Sequence, residues 1–223
     1  MIMDLTAILK GVPWTIALTL ASFVLGAALG LPLCAMRLST IGALRLTSTA
    51  IVVSCRSIPP IVWLFFVFFG IGNGLIAMSP FTAAVVGLGL VTAANMSEIY
   101  RGALTAIHPG QFEAAKVLNL TRSQQFRDVV LPQLTRIALP SGATYLIGLL
   151  KDSAVASTIG VTDLAYQSYH ISQQTFRGLS VYAAAALLYI LLSLPIAWLS
   201  RWADVQLRSR VSRWMLRRRR PAL

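Results

Sequence analysis

The sequence predicts an all-α membrane protein with about five transmembrane helices. Three observations carry this. Hydrophobic residues make up 57% of the 223 positions and charged residues only 12%, with a mean hydropathy of +0.73. A soluble domain of this length carries about twice that share of charge. The apolar residues are gathered into long runs. Most of the cations behind the net charge of +12 sit in the short connections between those runs and in the tail. Charge placed this way suits a membrane surface; nucleic-acid binding needs a basic face on a folded domain.

A crossing helix needs about 20 predominantly apolar residues, and residues 12–36, 46–70, 81–103, 137–159 and 181–199 each offer such a run. The first run is about 25 residues, longer than the roughly 7–15 of a signal-peptide core, so it reads as a retained span. Its Gly26 and Gly30 lie four apart, a spacing that suits close helix packing within the chain or between chains. The second run carries Ile58-Pro59-Pro60, which removes two backbone donors and should kink or break the helix. In the third, Glu98 and Arg101 are three apart and can pair as a structural clamp or a gate. Pro140, Gly142 and Gly148 make the fourth irregular. After the fifth, seven of the last sixteen residues are Arg.

Orientation follows from the excess of cations in inside loops. With the N-terminus outside, the inside segments hold Arg37, Arg45, Arg101, Lys116, Arg122, Arg127, Arg136 and the tail, and the outside segments only Lys10 and Arg177. The chain therefore divides into an outer N-terminal segment (1–11), one membrane domain (12–203) with a polar inner loop at about 105–136, and a basic inner tail (204–223). Cys34 and Cys55 lie in apolar runs without metal-ligand spacing and read as small buried hydrophobes. His108 and His170 are isolated, so no catalytic or metal constellation is predicted.

The polar loop, "HPGQFEAAKVLNLTRSQQFRDVVLP", reads as two short helices with a corner. Pro109 suits an early helical position, and Gln111 can help satisfy the exposed donors there. Glu113-Ala114-Ala115-Lys116 continues with good helix formers. Asn119 stands where a left-handed C-terminal residue belongs. Thr121 and Gln124 form a T-x-x-Q capping box for the second helix. Phe126, Val129, Val130 and Leu131 give that helix an apolar face until Pro132 stops it. Such a hairpin suits docking into another protein's groove, and equally a loop lying along the headgroups.

The same loop resembles the EAA loop of ABC importer permeases, in which Glu-Ala-Ala is followed by a Gly and later by a hydrophobe with Leu-Pro. Here the match is Glu113-Ala114-Ala115, Asn119 in the Gly position, then Val130-Leu131-Pro132. "EIYRGALTAIHPGQFEAA", "CRSIPPIVWLFFVFFG" and "LLKDSAVASTIGV" narrow the resemblance to the polar amino acid subfamily (histidine, glutamine, arginine and opine types). Ser57-Ile58-Pro59 departs from that subfamily's Gly-Thr-Pro, and Ser153-Ala154 from its Thr-Ser.

The resemblance implies a type I ABC importer permease fold. Gly110, Gln111, Glu113, Ala114, Ala115, Asn119, Leu131 and Pro132 would then couple it to a cytoplasmic ABC ATPase dimer. It also implies a second permease, identical or not, an extracytoplasmic solute-binding protein, and a bacterial inner-membrane location. No P-loop pattern G-x-x-x-x-G-K-[ST] occurs in the sequence. ATP and Mg are therefore expected on the partner ATPase, with no cofactor on this chain.

Arg56, Lys151 and Asp152 fall inside apolar runs, where each charge costs about 2.5–3.5 kcal/mol at the bilayer centre unless it finds a partner or water. Two readings stay open: a structural Arg56–Asp152 or subunit-interface pair, and a polar lining for a zwitterionic solute. A free-standing carrier or channel is the competing function. An intramembrane enzyme lacks its clustered acids and histidines.

Overall fold

The computed structural model describes residues 2–72 and 77–218. Among these, every regular element is helical: α1 (Ile2–Leu9), α2 (Val12–Arg37), α3 (Gly42–Ser57), α4 (Pro60–Phe65), α5 (Pro80–Thr105), α6 (Pro109–Val117), α7 (Arg122–Gln124), α8 (Leu131–Asp152), α9 (Leu164–Thr175) and α10 (Gly178–Arg218). A π-turn at Phe66–Ile71 extends α4, another at Gln125–Val130 joins α7 to α8, and a 3-10 segment at Ser153–Ile159 follows α8.

Among the described residues three helices are long and apolar enough to cross a membrane: Leu5–Arg37, Pro80–Thr105 and Gly178–Trp202. The Ile58-Pro59-Pro60 break does more than kink the second run. It bends α3 against Pro60–Ile71 by 106°, so that pair is a broken span or a re-entrant loop. The physical cause is that Ile58 and Pro59 are extended, with ψ of 131° and 142°, and two successive prolines cannot donate to the preceding turn. The fourth expected run is not among the apolar spans: α8 starts earlier, at Leu131, and carries Gln133, Arg136, Lys151 and Asp152. The first run extends outward into α1, and α10 runs without interruption through the expected tail boundary to Arg218.

The core forms where α2 lies along α5. Gly26 and Gly30 face that seam, and a Cβ at Gly26 would come within 2.4 Å of the Thr92 side chain. Lipid gives helices no hydrophobic drive to associate, so close fit and satisfied polar groups must select this packing. Buried hydroxyls accordingly donate to their own helix: Thr19 Oγ1 to the Thr15 carbonyl at 2.7 Å, and Thr92 Oγ1 to that of Leu88 at 2.7 Å. Leu18, Leu64, Leu88 and Leu149 fill the centre.

A second cluster (Ile8, Leu164, Ile171, Val181 and Ala185) ties α1, α9 and α10 together at the end of the bundle remote from α6 and α7. There Asp163 caps α9, its Oδ1 accepting from the Tyr166 N–H at 2.9 Å. Gly11 allows the close approach, since a Cβ there would lie 2.5 Å from the Asp163 backbone.

Candidate functional site

Two regions carry the residues that the sequence singles out. The first is the hairpin of α6 and α7. His108 caps α6, its Nδ1 accepting from the Gly110 N–H at 3.1 Å. Gln111 does not serve that end; its Oε1 accepts from Gln133 Nε2 at 3.4 Å and links α6 to α8. Asn119 is left-handed at φ 57°, one of two non-glycine residues with positive φ among those described. Its own N–H donates to the Lys116 carbonyl at 2.9 Å and that of Leu120 to Ala115 at 3.1 Å, which closes a Schellman motif. The Thr121–Gln124 capping box forms as the sequence requires, with the Thr121 N–H donating to Gln124 Oε1 at 2.9 Å.

Pro132, however, does not stop the second helix. The π-turn at Gln125–Val130 delivers the chain into α8 with Pro132 in the first turn, where a missing N–H costs nothing. On the surface of this hairpin Glu113 and Ala114 are exposed, and Ala115 is buried beneath them. Val117 and Leu118 are 86% and 70% exposed at the end of α6.

The second region is a polar cluster at the C-terminal ends of α3 and α8 and the middle of α5. Arg56 does not pair with Asp152. Its Nε donates to Asn95 Oδ1 at 3.2 Å, and it lies within electrostatic range of Glu98. Tyr145 donates from its hydroxyl to Thr92 Oγ1 at 3.2 Å and feels the Asp152 carboxyl. Arg56, Lys151 and Asp152 are all exposed within the single chain, despite their place in apolar runs. Exposed Arg56 and half-buried Asn95 and Tyr145 thus lie together, with the Asp152 carboxyl within electrostatic range of Tyr145. Such a surface can meet both ends of a zwitterion.

Nearer the hairpin, Glu98 accepts from Arg101 at 2.8 Å, as its spacing predicts, and also from Arg37 at 2.7 Å. The second bond ties the end of α2 to α5. Sequence reasoning missed Arg37, Asn95, Thr92 and Tyr145 as partners. Asn95 was the readable signal, an amide inside the apolar run of α5.

The description "Binding-protein-dependent transport system inner membrane component" matches residues 22–209. The chain belongs to that family. This permease is 35% identical over 182 residues to a probable amino-acid ABC transporter permease of Bacillus subtilis (strain 168), covering 82% of this chain and 80% of that one. It is 33% identical over 208 residues to an L-cystine transport system permease of the same organism, covering 90% and 87%. An amino acid ABC transporter crystallised with histidines superposes with a TM-score of 0.84 at 29% identity over 90% of this chain and 94% of that one. An inward-facing methionine ABC transporter gives 0.76 at 25% over 90% and 95%. The fold is that of type I ABC importer permeases, and the chain is the membrane component of a binding-protein-dependent ABC importer. Membership of the family implies an ATPase and a substrate-binding protein as partners.

Proposed function

We propose that this permease conducts polar amino acids inward, driven by ATP hydrolysed on a separate cytoplasmic ATPase dimer that docks on α6 and α7. The chain itself carries no catalysis and no cofactor. The observation that carries this reading is the hairpin surface: Val117 and Leu118 are almost wholly exposed beside Glu113 on a helix capped at both ends by its own residues. Rigid local caps hold a knob of apolar side chains outward, the form a helix takes to fill a partner's groove. The N-terminus then lies outside and the hairpin and tail inside, in accord with the cation asymmetry.

The solute path runs past Arg56, Lys151 and Asp152, which stay exposed in one chain, and past half-buried Asn95 and Tyr145. A second permease closes it. The amino acid substrate class is supported by the names of the relatives and by the charges of both signs on that surface.

Reconstitution with the cognate ATPase and binding protein tests the docking. Glu113→Lys should insert normally and melt within about 0.5 kcal/mol of wild type, as surface changes do, while ATPase co-purification and uptake are lost. Wild-type assembly and uptake in that variant would show that Glu113 is not part of the docking surface. Asp152→Asn should keep the ATPase bound and lose solute-stimulated transport; failure to assemble would make Asp152 structural.

A further inference from the structure

Between the hairpin end of α8 and the last turns of the span in α10 there is an open cavity of about 500 Å³. Arg136 and Arg201 line it, together with the hydroxyl residues Ser141, Thr144 and Ser200, and with Asp204. It lies apart from the hairpin surface and from the Arg56–Asn95 cluster. Pro140 is also in its wall and has no N–H, so the Arg136 carbonyl loses the helix donor it would otherwise have. Ser141 and Thr144 donate to the Ile137 and Pro140 carbonyls at 3.2 and 3.0 Å, which leaves their oxygens to the cavity as acceptors.

The depth of the cavity is marked by tryptophans. Trp198 and Trp202 on α10 are 69% and 52% exposed and bracket Arg201 along the helix. Indole rings exposed at the end of an apolar span sit at headgroup level. An open cavity at that depth lies among lipid headgroups.

We propose that this cavity holds the headgroup of an anionic phospholipid of the inner leaflet. The two guanidinium groups take the phosphodiester through charge-assisted hydrogen bonds, which guanidinium geometry favours. The Ser141 and Thr144 oxygens accept from headgroup hydroxyls. Arginine outnumbers aspartate in the lining, an excess of positive charge that suits one phosphodiester with an uncharged, hydroxylated head. This headgroup site is separate from the arginine-rich tail, which acts through diffuse attraction that salt screens. The inner-leaflet assignment rests on the orientation proposed above.

The test is native mass spectrometry of the transporter assembled with its ATPase. The complex is equilibrated in phosphatidylcholine doped with phosphatidylglycerol or with phosphatidylethanolamine, in the presence and absence of inorganic phosphate. Wild type should retain one phosphatidylglycerol per permease chain at salt that strips loosely held lipid. Arg136→Gln with Arg201→Gln should weaken that retention about tenfold or more. Gln at positions 217–220 should leave it intact. Arg136→Lys with Arg201→Lys, which keeps the charge and the packing stems, should fall between. Equal retention of phosphatidylethanolamine, displacement by inorganic phosphate, or retention unchanged in the Gln pair would overturn the proposal. Co-purification of the ATPase is read in the same samples, so loss of the lipid site is separable from loss of coupling.

Discussion

Along α2 and α5 the side chains shrink to nothing where the helices meet, whereas on α6 they lengthen and turn outward. At the seam, Gly26 and Gly30 bring backbone against backbone, and Ala93 of α5 is buried beside them. On the hairpin, Val117 and Leu118 stand in the open and only Ala115 is covered. Both regions carry pairs of small residues, yet for opposite reasons. Gly26 and Gly30 are small because this chain fills the space beside them. Ala114 is small and uncovered, which leaves space for another chain. The difference shows that small residues alone do not reveal a partner: exposure of their neighbours does.

The comparison breaks most severely if the seam tolerates bulk. Gly26→Leu places atoms inside the Thr92 side chain and within 2.9 Å of the Ala93 backbone N, which cannot swing aside. Overpacking of a core commonly costs about 1–3 kcal/mol, and an immovable backbone places this case at the upper end. The expected result is loss of monodisperse protein on detergent size exclusion. Gly148→Leu is the control, because nothing lies within 4 Å of a Cβ there. Equal behaviour of the two variants would show that the seam is not close-packed.

How much of this was legible in the sequence follows the same division. The hairpin was read almost residue by residue, since caps and left-handed corners are chosen by neighbours in the chain: Asn119 and the Thr121–Gln124 box are where their patterns put them. What failed there were Pro132, whose missing donor a π-turn absorbed, and Gln111, which bonds to Gln133 of α8 and not to the start of α6. The polar cluster was half read. Arg56 and Asp152 were flagged as costly charges, but a charge in an apolar run says only that a partner exists. Arg56 found Asn95, and Glu98 found Arg37 as well as Arg101, through the meeting of helices far apart in sequence. Asp163 was not singled out in the sequence; its burial follows from the packing of α1, α9 and α10.

That residue gives the next test, at the end of the molecule where the chain packs on itself. Asp163 is wholly buried, and its Oδ2 has no hydrogen-bond partner among the described residues; the same holds for the Tyr189 hydroxyl on α10. Burial pushes the Asp163 carboxyl from 3.8 up to about 7, although the cap bond to Tyr166 pulls the other way. The folded state therefore holds this proton more tightly than the unfolded chain does. The sign follows: stability is fully present below about pH 4 and is lost as pH rises to about 7, by roughly 4 kcal/mol in all. Asp163→Asn keeps an N-cap acceptor and has no charge to bury. Thermal unfolding of the two proteins should agree near pH 4, and the variant should be the more stable above pH 7. Parallel pH profiles would remove the carboxyl from this account.

The smallest expected effect sharpens the comparison from the hairpin side. Thr121 and Gln124 exchange bonds across the first turn of α7, the Gln124 N–H reaching Thr121 Oγ1 at 3.4 Å. Removing an N-cap hydroxyl costs about 1 kcal/mol. Because α7 is exposed throughout and its caps are local, that loss should stay local. Thr121→Ala should leave the melting temperature of the whole chain unchanged, while the backbone amides of α7 exchange with solvent about fivefold faster, as 1 kcal/mol of local opening requires. Thr121→Ser, which restores the acceptor, should recover wild-type exchange. Uptake should fall only in proportion to the fraction of hairpins that open. A whole-chain loss of stability as large as that of Gly26→Leu would mean that the hairpin is part of the folded core, and the contrast with the seam would not stand.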